Sequence, residues 1–178
     1  MLPGGQKWLK NKLILDSGCG PGRYIDCIRK YKPKSIHGLD NGTDIIKKNK
    51  IKFKKNKNIS FSTSNFKKLK FKNNSFDFIF SVGVLHHCEV PIRKLMTETH
   101  RVLKKNGMFF VFIQSSGGLQ LKLWKFFRNI MNNIDISYVE SFLKNKINPL
   151  RIQGLLDHSY GELQPITRKD FEKYLKTK

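Results

Sequence analysis

Residues 13–24 read LILDSGCGPGRY, an apolar run that enters a turn with glycine at 18, 20 and 22 and then a helix. Gly18, Gly20 and Gly22 permit a tight turn and close approach of the backbone to a ligand. Cys19, between the first two, reads as a small buried packing residue. Pro21 and the helix amides behind it form a positive N-terminal end that attracts negative groups, so the turn suits a nucleotide-type cofactor. Asp40 closes a second apolar run, SIHGLD, 22 residues after Gly18. There a carboxylate can accept hydrogen bonds from two ribose hydroxyls.

A dinucleotide and S-adenosylmethionine both satisfy that much, and the spacing separates them. The glycines run G-x-G-x-G, not G-x-G-x-x-G, with Asp16 two residues ahead of the first. A carboxylate at Asp16 attracts the ammonium of a methionine moiety and repels a pyrophosphate. Further along, His86 and His87 follow a third strongly apolar run, where either could take a proton from an acceptor hydroxyl or amine. The competing role, packing against the next helix or bonding the backbone, is the commoner one for such a residue.

These residues need a scaffold that brings strand ends together. From Lys12 to Ile113 short apolar runs alternate with helical stretches, the pattern of βαβ units around a parallel sheet. The expected strands are Leu13–Asp16, Ser35–Asp40, Ile59–Thr63, Phe76–Val82 and Met108–Ile113, the third lying at an edge. The expected crossover helices include Pro21–Lys30 and Pro91–Lys104, the latter with Ile92, Leu95, Met96, Thr99, Val102 and Leu103 on one face. Asn106-Gly107 reads as a turn after that helix. Beyond Ser115 the pattern becomes helical, over Gly118–Asn132, Tyr138–Lys144 and Arg168–Tyr174, with no sixth strand. The fold class is therefore α/β: a Rossmann-like, mostly parallel sheet of about five strands in the order 3-2-1-4-5, with helices on both faces and a helical C-terminal extension. At 178 residues the chain reads as one domain, a cofactor-binding core over 12–114 and a helical cap or acceptor region over 115–178.

Four blocks, LDSGCGPG, GLD, SNFKKLKFKNNSFDFIFSVGVLHH and TETHRVLKKNG, stand in an order and spacing that resemble class I S-adenosylmethionine-dependent methyltransferases of the small-molecule, type 11 group, over about residues 12–114. The resemblance implies that Asp16 and the turn Gly18, Cys19, Gly20 and Gly22 hold the methionine end of the cofactor. It places Asp40 and Asn41 at the ribose, Asn65 and Phe66 at the adenine, and Ser81 and Val82 beside the sulfonium. Family members usually carry Asp where this chain has Asn65, so the adenine amino group meets a neutral carbonyl oxygen here. The chain looks shortened at both ends beside such enzymes. Helices after the fifth strand usually cap the acceptor side in this group, and Trp124, Phe126 and Phe127 would then either pack on the sheet or roof an acceptor.

Lys plus Arg is 35 against 13 Asp plus Glu, a net charge of +22, and eleven lysines with no acid lie between Lys47 and Lys72. That run could track phosphates. A sequence without a single alanine and rich in Lys, Ile and Asn also suggests compositional drift. Cys19, Cys27 and Cys88 form no C-x-x-C pair or zinc spacing, so no metal is expected and a reducing, cytoplasmic setting fits. No segment approaches the roughly 18 apolar residues of a membrane span. The expected function is in-line methyl transfer to a small-molecule acceptor. RNA methylation through the lysine-rich face and a non-catalytic cofactor- or partner-binding role stay open, with a nicotinamide oxidoreductase more distant.

Overall fold

The structure, a computed structural model, describes residues 5–115, 118–144, 146–147, 152, 156 and 166–176. The chain divides into two compact units, one of Met1–Leu85 with Val90–Phe112 and one of His86–Glu89 with Ile113–Lys178.

The first unit holds β1 (Leu13–Ser17), α1 (Arg23–Ile28), β2 (Ser35–Asp40), α2 (Thr43–Lys52), β3 (Ile59–Thr63), β4 (Phe76–Val82), α3 (Ile92–Val102) and β5 (Leu103–Phe112). All neighbours pair in parallel in the order β3-β2-β1-β4-β5, with β3 at an edge as its weaker pattern suggested. Burial on both faces explains the near-continuous apolar runs of β1 and β4. Ile14, Ile36, Phe61, Phe78 and Phe80 face one way and pack with Ile25 of α1 and with Ile46 and Phe53, at α2 and its C-terminal end. The alternate residues Leu15, Leu39 and Ile79 are buried on the other face. α3 buries Ile92, Leu95, Met96, Thr99 and Val102, the face its 3.6-residue period prescribes.

The largest differences from the sequence reading are at α1 and at the junction of α3 with β5. α1 begins at Arg23, after Gly22 in a left-handed conformation, and gives way to a 3₁₀ turn over Arg29–Tyr31. α3 ends at Val102, and Leu103 already pairs with Phe76 as the start of β5. The next aligned pair is Phe78 with Met108, so residues 104–107 bulge out of the strand. The expected Asn106-Gly107 turn is this bulge, with Asn106 at φ 65°. Asp77, opposite, accepts from the Leu13 amide (2.8 Å) and from the Lys104 ammonium (3.0 Å), and these donors hold its carboxyl below the usual range against the opposing effect of burial.

The loop over 64–75, which follows β3, is tied to α3 by one ion pair. Arg101 grips both oxygens of Glu98 at 2.7 and 2.9 Å and donates to the carbonyls of Leu69 (2.9 Å) and Phe71 (2.8 Å), while Glu98 also accepts from the Leu69 amide at 2.8 Å. The bidentate fork fixes direction as well as distance.

In the second unit α4 (Leu119–Met131), α5 (Ile136–Lys144) and α6 (Arg168–Lys176) are the helices described, and Ser115 forms an isolated bridge with Ile166. Leu119, Leu123, Phe126, Phe127 and Ile130 of α4 each leave about half or more of their surface exposed. The Trp124 side chain lies outside the described residues. Among the described residues no helix is long and apolar enough to cross a membrane, and no group of three or more His, Cys, Asp or Glu is arranged to hold a metal.

Replacing Arg101 by Leu should lower the unfolding free energy by about 2 to 3 kcal/mol, because Glu98 and two loop carbonyls lose a charged donor. Urea denaturation checks this, and a loss below about 0.5 kcal/mol, the range of an ordinary surface change, would show that the loop is held by other means.

Candidate active site

The glycine turn is built by backbone hydrogen bonds to the end of β2. Leu39 O accepts from both Gly18 N (2.8 Å) and Cys19 N (2.7 Å), and Gly22 N bonds Cys19 O at 2.9 Å. Gly18 sits at φ 92°, and a Cβ there would overlap the Val84 side chain. Gly20 also has a left-handed φ, 46°, but a Cβ built on it meets no atom within 4 Å. The middle of the turn therefore presents bare backbone to open space, and Gly18 lets the chain close against Val84 behind it.

Asp40 joins this turn to the start of α2. Its two carboxylate oxygens accept from Gly20 N (2.8 Å) and Gly42 N (3.0 Å), and each oxygen keeps a lone pair for a hydroxyl. Asn41 beside it is exposed. Asp16, at the end of β1, is 1% exposed, and its Oδ2 has no hydrogen-bond partner among the described residues. Burial first, and the nearby Asp40 charge second, push the Asp16 carboxyl well above the usual carboxylate range. A buried carboxyl without a partner is costly unless a ligand cation meets it. The ammonium of a methionine moiety would be such a partner, so the residues present fit S-adenosylmethionine. Burial also raises the Cys19 thiol, which keeps it protonated and removes it as a nucleophile.

Sequence reasoning missed Asn49. This side chain of α2 is 2% exposed, and its Nδ2 donates to Gly20 O at 2.7 Å, fixing the carbonyl at the middle of the turn. Lys52, one turn later, donates to Pro21 O at 3.2 Å. An asparagine inside a lysine-rich helix has no pattern to mark it. Only its i, i+3 spacing to Lys52 places both on one face.

Asn65, Phe66, Ser81 and Val82 fall at the C-terminal ends of β3 and β4. Asn65 is exposed and its Oδ1 accepts from Lys67 N at 3.2 Å, closing a turn. Phe66 is buried at a left-handed φ of 60°, an outlier for a bulky residue and a mark of an imposed conformation. Ser81 is fully buried, and its hydroxyl donates to Ser17 O at 2.8 Å, so it locks β4 to β1. Val82 packs at the margin of the core. His86 and His87 lie in a 3₁₀ turn, His86 buried, with ring centroids 4.3 Å apart. The Gln114 amide donates to His86 Nδ1 at 3.3 Å. That bond assigns the proton of the neutral ring to Nε2, so His86 is placed to donate there and not to accept.

The raised Asp16 pKa gives a signed expectation. The folded state holds this proton more tightly than the unfolded chain, so Asp16 lowers stability as pH rises from about 3.9 through the folded value. A ligand ammonium favours the ionised form, so affinity should increase over the same window, with a proton released on binding. Asp16→Asn should raise the melting temperature of the free protein at neutral pH by roughly 2 to 4 °C and abolish both the pH dependence and the proton release. Calorimetry of S-adenosylmethionine binding in buffers of different ionisation enthalpy measures that proton, and an unchanged value in Asp16→Asn would remove Asp16 from the site. Asn49→Leu should weaken the same binding by about 1 kcal/mol or more through the Gly20 carbonyl.

Residues 15–111 match the family model described as a methyltransferase domain, more than half of the 178-residue chain. Over 103 residues the chain is 37% identical to a tRNA U34 carboxymethyltransferase of Helicobacter pylori, a match covering 56% of this chain and 39% of that protein. The chain thus spans well under half the length of that relative. Among solved structures, the YcgJ protein of Bacillus subtilis superposes with a TM-score of 0.67 at 20% identity, covering 95% of this chain and 63% of the other. An S-adenosylmethionine-dependent methyltransferase from Mesorhizobium loti gives 0.53 at 23% identity, over 60% and 53% of the two chains. Both likenesses carry the fold, and with the matched family model the chain belongs to the class I S-adenosylmethionine-dependent methyltransferases, whose cofactor is S-adenosylmethionine.

Proposed function

We propose that this chain binds S-adenosylmethionine at the glycine turn and transfers its methyl group to an acceptor. The observation that carries this reading is the pair formed by Asp16, buried with an oxygen that has no partner among the described residues, and Gly20, whose bare backbone faces open space. When bound, the cofactor supplies a methyl group activated on a sulfonium. The chain's own part is to hold and align: Asp16 takes the ammonium, Asp40 with Asn41 takes the ribose hydroxyls, and the loop at Asn65 and Phe66 lies at the adenine. Ser81, through Ser17, fixes the strand ends below the reacting groups, with Val82 beside them. Alignment can supply most of the rate enhancement without a base. Where the acceptor must lose a proton, His86 and His87 are the candidates.

For the acceptor we favour a base in RNA over the small molecule that the family resemblance implied. Two observations support it: the matched Helicobacter relative is by name a tRNA-modifying enzyme, and lysines without acids are concentrated on one part of this chain. A small-molecule acceptor is the second reading, supported by the type 11 pattern of the core. The helices α4, α5 and α6 are proposed to select the acceptor.

Methyl-labelled cofactor incubated with the protein and a mixture of RNA and small metabolites should leave label in the RNA fraction, with a product mass gain of one methyl group. Label confined to metabolites would establish the small-molecule reading. Asp40→Ala should weaken cofactor binding by about 1.5 to 3 kcal/mol, roughly 10- to 150-fold, since two hydroxyls lose a charged acceptor. Unchanged affinity by calorimetry would remove Asp40 from the ribose position.

A further inference from the structure

Edge strand β3 is flanked by lysines on both of its faces. On the face that carries Phe61, Phe53 at the C-terminal end of α2 packs against it with ring centroids 5.4 Å apart, and there Lys50, Lys54 and Lys57 line a groove of about 290 Å³ that also takes in Ile59 and Ser60. The opposite face of β2 presents His37, whose ring meets Phe71 of the 64–75 loop edge-on at 4.9 Å, so that loop lies on the other side of the sheet edge. Arg101 and Glu98 hold it there, and it carries Lys67, Lys68, Lys70 and Lys72.

All eleven lysines between Lys47 and Lys72 are exposed. Lys47 pairs with Asp44 and Lys52 with Asp26, and for the other nine no carboxylate lies within ion-pair distance among the described residues. Elsewhere several lysines have acidic partners, as Lys104 has Asp77, Lys144 has Glu140 and Lys173 has Asp170. Nine like charges along one edge repel one another within a Debye length of about 10 Å at 0.1 M salt. A phosphate chain laid along the edge relieves this and releases counterions.

We propose that the β3 edge, with Lys50, Lys54 and Lys57 on one face and the lysines of the 64–75 loop on the other, is the surface on which an RNA backbone docks. The inference rests on the RNA reading of the acceptor. A linear polyanion fits better than an acidic membrane, because the charges straddle a narrow sheet edge and the aromatic rings that line the groove with them, Phe53 and Phe61, are buried. The contacts are to phosphates, so binding is sequence-indifferent and steeply salt-dependent.

The test uses the full chain and a fluorescein-labelled single-stranded RNA, followed by anisotropy without cofactor across a salt series. Lys50→Gln/Lys54→Gln/Lys57→Gln should weaken binding about tenfold or more at low salt and reduce the slope of log K against log salt by about 2, three contacts at roughly 0.7 each. A charge-matched control, Lys7→Gln/Lys10→Gln/Lys30→Gln, three exposed lysines outside the β3 edge and its loop, should change it little. Both triples should keep the thermal shift given by S-adenosylmethionine, which reports that the fold and cofactor site persist. Equal weakening by the two triples, or an unchanged affinity in the edge triple, overturns the docking surface. So does a triple that loses binding to phosphatidylserine vesicles but keeps its affinity for RNA. RNA bound at the edge but never methylated would leave the surface standing and remove the RNA acceptor. RNA methylated equally well by the edge triple would do the reverse.

Discussion

The carbonyl of Leu39, which accepts the amides of both Gly18 and Cys19, is the interaction on which the candidate cofactor site depends. It fixes the exit of β1 against the end of β2, and it works only because the two strands are parallel and in the register that pairs Ser17 with Leu39. Asp40, one residue on, extends the connection by accepting from Gly20 and Gly42, so one strand end holds both the glycine turn and the start of α2. Since β1 lies between β2 and β4, this turn stands where the connections leave the sheet in opposite directions, the place where open α/β sheets form a ligand crevice. Ser81 contributes the same kind of constraint from β4 through its bond to Ser17.

That geometry has a cost in stability. Asp16 is enclosed by the core with an oxygen that no described group satisfies, and Asp40 nearby opposes its ionisation. Phe66 is held in a backbone conformation a bulky residue seldom adopts. Both strained features lie at C-terminal strand ends, while the strand interiors are apolar and well packed. Stability from the sheet core thus offsets the cost of these features at the strand ends.

What the sequence made legible was what residue type alone dictates. Glycine at 18, 20 and 22 predicts a turn whatever surrounds it, and the buried parallel strands announce themselves as apolar runs. β3, with its alternating polar residues, was recognisable as an edge. The α3–β5 junction was not, because Leu103–Gly107 has a helix-stop pattern that also suits a bulge, and only pairing with Phe76 decides between them. Asn49 was invisible for a different reason: its role is a tertiary bond from α2 to the carbonyl of Gly20, and hydrogen bonds between distant segments leave no local period. The exposed apolar residues of α4 gave a clear amphipathic signal, but periodicity shows that a face is apolar and not what it meets.

The two edges of the sheet solve the same problem differently. An unpaired strand edge invites another chain to add to it, and lysine is among the residues that discourage such pairing. At β3 the lysines around Ile59–Thr63 would serve that purpose even with no nucleic acid present. At β5 the register-breaking bulge over 104–107 interrupts the edge, leaving Phe110 and Phe112 more than half exposed beyond it. One or two lysines are enough to protect a five-residue strand, whereas nine of the lysines around it have no carboxylate in ion-pair distance among the described residues. Edge protection accounts for the presence of lysine at β3 but not for its excess, and that excess is what a polyanion would use.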